Sequence, residues 1–149
     1  MEKNMNRSVM TLDQTTAATK KILIIEDHEI LGNYLSCIVG HYGNIDIVQN
    51  GMEALDKISH NSYEAIVFDV RMPEMNGMEF FQEAIIMDPS IRKKILFLIS
   101  TDNKKQIKFM LDNHVYCIRK TLQSEEIKSA LEKVLFDSRS FTETLPQSA

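Results

Sequence analysis

The chain predicts an α/β fold, a doubly wound five-stranded parallel sheet built as (βα)5, on three observations. Short apolar runs alternate with helix-period stripes five times along the sequence. The runs are apolar throughout, the pattern of strands buried on both faces, not the in-out alternation of a half-exposed sheet. The connections are too short for anything but right-handed crossovers, which place helices on both faces.

The elements follow in order. Ile22 to Ile25 in "KKILIIED" form the first strand. Ile30, Leu31, Tyr34, Leu35, Ile38 and Val39 make one helical stripe, ended by Gly40 and Gly43. "IDIV" (45–48) is a short second strand, and Gly51 to about Ser59 a helix burying Ala54, Leu55 and Ile58. "AIVF" (65–68) is the third strand. A helix from Gly77 carries Met78, Phe81, Ala84 and Ile85 inward until Asp88-Pro89. "ILFLI" (95–99) is the fourth strand, followed by a helix over 103–113 with Ile107, Met110 and Leu111 on one side. "VYCI" (115–118) is the fifth strand. The last helix takes Ser124 as N-cap, has two acids in its first turn and buries Ile127, Ala130, Leu131 and Val134.

At 149 residues the chain reads as one domain over 20–137, with a polar arm at 1–19 and a polar tail at 138–149. An apolar fraction of 44% and a charged fraction of 26% are ordinary for a globular chain, and a net charge of −4 disfavours direct nucleic-acid binding. Cys37 and Cys117 lack metal-ligand spacing and sit in apolar runs, so both are expected to be buried and reduced. No apolar run reaches membrane-spanning length and no signal-peptide core is present; a cytoplasmic location without membrane insertion is the expectation.

Sheets of this kind carry their sites beyond the carboxyl ends of the strands. There the sequence places Glu26-Asp27 after the first strand, Asp69 after the third, Ser100-Thr101 after the fourth and Arg119-Lys120 after the fifth. Three converging carboxylates repel one another unless a proton or a hard divalent cation neutralises them. Mg²⁺, which takes oxygen ligands and is commonly held by one or two carboxylates plus phosphate oxygens, fits such a cluster, with Lys120 as the opposing cation. An acidic cluster with one lysine opposite it fits a site where a phosphoryl group lands on a carboxylate. His28, which follows the acid pair, is expected to face solvent and not to ligate.

The segments "ILIIED", "VFDVRMPEMNG", "ILFLIST" and "CIRK" together resemble the receiver domain of two-component response regulators, over about residues 20 to 137. The resemblance implies the flavodoxin-like strand order 2-1-3-4-5. It implies that Asp69 is the phospho-acceptor, taking a phosphoryl group from a sensor histidine kinase or phosphotransfer protein as an aspartyl phosphate. It further implies Mg²⁺ held by Glu26, Asp27, Asp69 and the main-chain carbonyl of Arg71. Ser100 and Lys120 would meet the phosphoryl oxygens, Thr101 would stand in the switch loop, and Pro73 and Gly77 would shape the loop after Asp69. The domain would be a signalling switch and not an enzyme in its own right.

The chain departs from the family pattern at several positions. Glu26 is longer than the usual Asp, and Cys117 stands where an aromatic switch residue is frequent, with Tyr116 one place earlier and pointing to the other face. Asn113-His114 replaces a Gly-Ala, and Thr121 replaces the proline after the lysine. Phe109, about 160° from the centre of the fourth helix's apolar side, is a candidate anchor for a partner, and with Tyr116 it defines the expected partner face.

Some fifteen residues after the last helix are too few for an output domain, so output is expected through an unknown downstream protein, onward phosphotransfer or a homodimer. The competing reading is a non-phosphorylated adaptor of the same fold. A dehalogenase-type phosphatase would need its nucleophile in a D-x-D pattern on the first strand, where "EDH" stands. A flavodoxin-like nucleotide carrier would suffer repulsion between Glu26-Asp27 and its phosphate.

Overall fold

The computed structural model describes residues 20–69, 77–99, 104–121 and 123–136. Its elements are β1 (Lys21–Ile25), α1 (Glu29–Val39), β2 (Asn44–Val48), α2 (Gly51–His60), β3 (Ala65–Asp69), α3 (Gly77–Met87), β4 (Ile95–Ile99), α4 (Lys104–Asp112), β5 (Tyr116–Arg119) and α5 (Ser124–Phe136). Short 3-10 turns cover Gly40–Tyr42 and Pro89–Lys93. All strand pairs are parallel, and the order is β2-β1-β3-β4-β5. Both the doubly wound architecture and the expected strand order hold. The arm 1–19, the tail 138–149, and the candidates Arg71, Pro73, Ser100 and Thr101 lie outside the described residues.

Strand alternation sorts the core into two layers. Leu23, Ile25, Ile66, Phe68, Ile95, Phe97, Ile99 and Cys117 face α2, α3 and α4. Ile22, Ile24, Ala65, Val67, Leu96, Leu98 and Tyr116 face α1 and α5. Every residue of β3 and β4 is buried, as central strands of a sheet covered on both faces must be.

Several expectations about individual side chains are corrected. Ile30 is 72% exposed, and the buried stripe runs through Gly32, Leu35, Ile38 and Val39. Cys37 is exposed, lying between the buried positions of that stripe, whereas Cys117 is buried and its thiol is pushed up to about 12 by desolvation. Phe80, absent from the predicted stripe of α3, is fully buried beside Phe81. On α4, Leu111 is 44% exposed, and Phe109 turns inward, its ring 5.7 Å from that of Phe81 at 88°. The contact with Phe81 on α3 brings the half-buried side of α4 round to Phe109. Phe109 is therefore half-buried against Phe81 and not on the outer face, and Tyr116, at 0% exposure, is core and not partner face. Ser124 is the first helical residue, not the cap: the carbonyl of Gln123 accepts from the N–H of Glu126 (3.2 Å) and of Ile127 (3.4 Å).

Two connections yield predictions. A Cβ on Gly43 would lie 2.6 Å from the backbone oxygen of Lys20, which is already held by the Asn44 N–H at 2.9 Å. Backbone must move to admit it, so Gly43→Ala lowers stability by about 1–3 kcal/mol, read as a lower urea midpoint. At the end of α4, His114 takes φ 53°, and Val115 N–H reaches back to Met110 O at 3.2 Å while His114 N–H reaches Leu111 O at 3.2 Å. This is a Schellman close with a histidine in the left-handed position that glycine fills without penalty. His114→Gly accordingly raises stability by about 0.5–1 kcal/mol in the same measurement. An unchanged or lower midpoint would refute the capping assignment.

Candidate functional site

The site is a direct consequence of strand periodicity. Glu26 continues the β1 ladder by one residue, its N–H donating to Val48 O at 3.0 Å. Asp69 ends β3, where Phe68 pairs with Ile25 and Asp69 itself with Leu98. Lys120 follows β5, its N–H donating to Ile99 O. Counting by twos from the core, Glu26 shares a face with Ile22 and Ile24, Asp69 with Ala65 and Val67, and Lys120 with Tyr116 and Ile118. The three side chains therefore leave the sheet at its carboxyl rim on the side of α1 and α5. Asp27, one residue on, completes the acidic end of β1.

There the groups meet. One oxygen each from Glu26, Asp27 and Asp69 lie within 4.8 Å of one another. The Lys120 ammonium donates to Asp69 Oδ2 in a very short bond and to Glu26 Oε1 at 3.2 Å. The His28 N–H donates to Glu26 Oε2 at 3.3 Å. Glu26 is 2% and Asp69 3% exposed, while Asp27 is open to solvent. Glu26, Asp27, His28, Leu31, Asp69 and Lys120 line an open cleft.

Electrostatics follow from this crowding. Burial pushes the Glu26 carboxyl up to about 7 from an ordinary 4.5, and the nearby Asp69 charge adds to the rise. Lys120 and the His28 N–H work in the opposite direction but do not cancel it. A buried acid kept partly neutral beside two others is a site short of positive charge. A divalent cation with oxygen preference would supply it, and the three carboxylates are a donor set that could hold one.

Among the described candidates, Glu26, Asp27, Asp69 and Lys120 come together, and Gly77 opens α3 as a buried residue. His28 lines the cleft but contributes its backbone N–H to the acids, and its ring is not part of the acid trio. Thr121, where the sequence lacks the expected proline, accepts from Gln123 N–H at 3.0 Å and turns the chain into α5. Sequence reasoning missed Leu31 as a wall of the cleft; as a member of the apolar stripe of α1, it was legible only as core.

A parallel sheet with an acid–lysine cluster at its carboxyl rim defines an α/β domain with its candidate site at the strand ends. The model of the response regulator receiver domain matches residues 22–132, and the chain belongs to that family. It is 27% identical over 128 residues to the transcriptional regulatory protein HptR of Staphylococcus aureus (strain N315), covering 80% of this chain and 49% of that protein. The chain thus spans about half the length of the curated relatives it matches. Among solved structures it is similar to the chemotaxis response regulator CheY4 of Vibrio cholerae, with TM-score 0.68, 24% identity, and 78% and 98% of the two chains covered. It is likewise similar to the receiver domain of the sensor histidine kinase PA1611 from Pseudomonas aeruginosa PAO1, with TM-score 0.69, 19% identity, and 79% and 98% covered. That structure is described as having a magnesium ion coordinated in its active-site cleft. Among the described residues no helix is long and apolar enough to cross a membrane.

Proposed function

We propose that this receiver accepts a phosphoryl group on Asp69 from a phosphohistidine of a sensor kinase or phosphotransfer protein, with Mg²⁺, and thereby switches its binding to a downstream protein. The observation that carries this reading is the lysine bridging two buried acids from separate strands, Asp69 and Glu26, beside solvent-open Asp27. Such a cluster has little structural use and costs desolvation, so chemistry is the better account of its presence.

In the transfer, an Asp69 carboxylate oxygen forms a bond to phosphorus while the P–N bond to imidazole breaks, and the leaving nitrogen takes up a proton. Glu26, Asp27 and Asp69 are the residues that would hold Mg²⁺, with the Arg71 carbonyl as a fourth protein ligand. When bound, the metal supplies charge neutralisation for the transferring oxygens. Lys120, placed against Asp69, is positioned to pair with the negative charge that phosphorylation adds. Ser100 would donate its hydroxyl to a second phosphoryl oxygen, Thr101 would belong to the switch loop, and Pro73 and Gly77 would frame the loop after Asp69. The location is proposed as cytoplasmic, and the domain as a signalling element that catalyses only its own phosphorylation and dephosphorylation.

The test is incubation of the chain with a small acyl phosphate, with Mg²⁺ or with EDTA, and intact-mass measurement. One hydroxylamine-labile phosphoryl group appearing only with the metal is the expected result. Equal labelling in EDTA, or none in either, would leave the adaptor reading in its place.

A further inference from the structure

Lys120 reaches its partners across several strands. Its backbone is tied to the end of β4, the N–H donating to Ile99 O, yet its ammonium bonds Asp69 at the end of β3 and Glu26 after β1. From β5 those strands lie two and three places across the sheet, about 9 and 14 Å between backbones. The lysine meets both acids only with its four-carbon stem drawn out over the end of β4. Such a stem is unbranched and rich in rotamers, so its extended shape has to be imposed by what surrounds it.

A small cavity behind the acid cluster shows what does so. Leu98 of β4 lines it from the sheet, Leu31, Tyr34 and Leu35 line it from α1, and Glu26, Lys120 and Thr121 complete it. Its volume is about 20 Å³, the room of one water molecule and too little for the stem to fold into. The Lys120 side chain is accordingly only 16% exposed. Leu35 and Leu98 are core residues, whereas Tyr34 is half-buried against the same layer. Leu31 also lines the acid cleft, and Tyr34 does not. An influence of Tyr34 on chemistry at Asp69 therefore runs through Lys120 or Glu26, and of the two Lys120 has the longer and looser stem.

We propose that Tyr34 is a positioning residue for Lys120: its ring walls the cavity beside the lysine stem, keeps the stem extended over β4 and so aims the ammonium at Asp69. This rests on the phospho-acceptor reading. Tyr34 touches neither the phosphoryl group nor the acids' open side, yet it sets how fast the group is taken up. Removing the ring joins its volume to the cavity, and a stem able to fold there draws the ammonium back from the charge it must meet. Small misplacements of a charge-stabilising group cost rate steeply, up to about a hundredfold for 1 Å.

The experiment is the time course of labelling of the full chain by a small acyl phosphate with Mg²⁺, followed by intact mass. The parent is compared with Tyr34→Ala, Tyr34→Phe, Lys120→Ala, and Tyr34→Ala combined with Lys120→Ala. Tyr34→Ala takes up the label about tenfold more slowly than the parent. Tyr34→Phe, which keeps the ring, stays within about twofold of it. Added to Lys120→Ala, Tyr34→Ala changes the rate by less than about twofold, the non-additivity of two residues acting as a unit. A ring that merely supported the fold would slow both backgrounds alike. Urea transitions check that each variant is folded in the assay, and Tyr34→Leu carries the same comparison where Tyr34→Ala is not. Tyr34→Ala labelling like the parent, Tyr34→Phe as slow as Tyr34→Ala, or equal slowing in both backgrounds overturns the positioning role alone. A parent that takes up no label overturns the phospho-acceptor reading and the positioning role with it.

Discussion

Asp69→Asn takes up no phosphoryl group from an acyl phosphate, with or without Mg²⁺, yet folds at least as stably as the parent. On the phospho-acceptor reading the loss is total, because the variant removes the proposed nucleophile itself: an amide oxygen is neutral and its nitrogen carries no usable lone pair. Asp69 is the group at the centre of the site, buried at the end of a central strand and bonded to Lys120. The retained stability has its own cause. Asparagine relieves repulsion among three acids while its side-chain oxygen still accepts from Lys120, which also keeps Glu26 at 3.2 Å. Intact mass after phosphodonor treatment and a urea transition read the two halves separately. Label surviving at parent level would move the acceptor to Asp27, the solvent-open acid of the cluster.

The strands and the acid–lysine rim were legible because a parallel sheet writes itself as uninterrupted apolar runs, and chemistry on such a sheet has one address, whereas the strand order came only with the family resemblance. What was not legible was rotation. On α4, Ile107, Met110 and Leu111 define an apolar side, but a three-residue stripe does not say how far the helix turns to meet α3. Phe109 turned toward Phe81, half-buried, and Leu111 toward solvent. Tyr116 shows the same limit differently. Its place on the face opposite Cys117 followed from alternation, but nothing local said that α1 and α5 would cover it completely. Ile30 and Cys37 failed at the ends and flanks of a stripe that was otherwise right. The state of Glu26 was beyond the sequence altogether, since its burial and its neighbours come from strands joined only in the fold.

That state gives the second large effect. Glu26→Gln raises the stability of the metal-free chain above pH 7 and weakens Mg²⁺ binding by about tenfold or more. In the folded chain the Glu26 carboxyl sits at about 7, chiefly through burial and then through the Asp69 charge, against an ordinary 4.5 when unfolded. The folded state therefore holds a proton that unfolding releases. The associated stability is fully present below about pH 4.5 and is lost as pH rises through about 7. Above that, the parent carries a buried charge only partly offset by Lys120 and the His28 N–H, a cost of about 3 kcal/mol. Glutamine has no proton to lose, so variant and parent converge at pH 5 and separate at pH 8 in EDTA. Added Mg²⁺ closes the gap at pH 8 from the parent's side, because it binds the ionised cluster that glutamine has diminished. Urea transitions at the two pH values, with EDTA and with Mg²⁺, measure all four corners. A parent and variant with the same pH slope in EDTA would mean that Glu26 is ionised in the folded chain at ordinary carboxylate pH, and that the acid cluster is not short of positive charge.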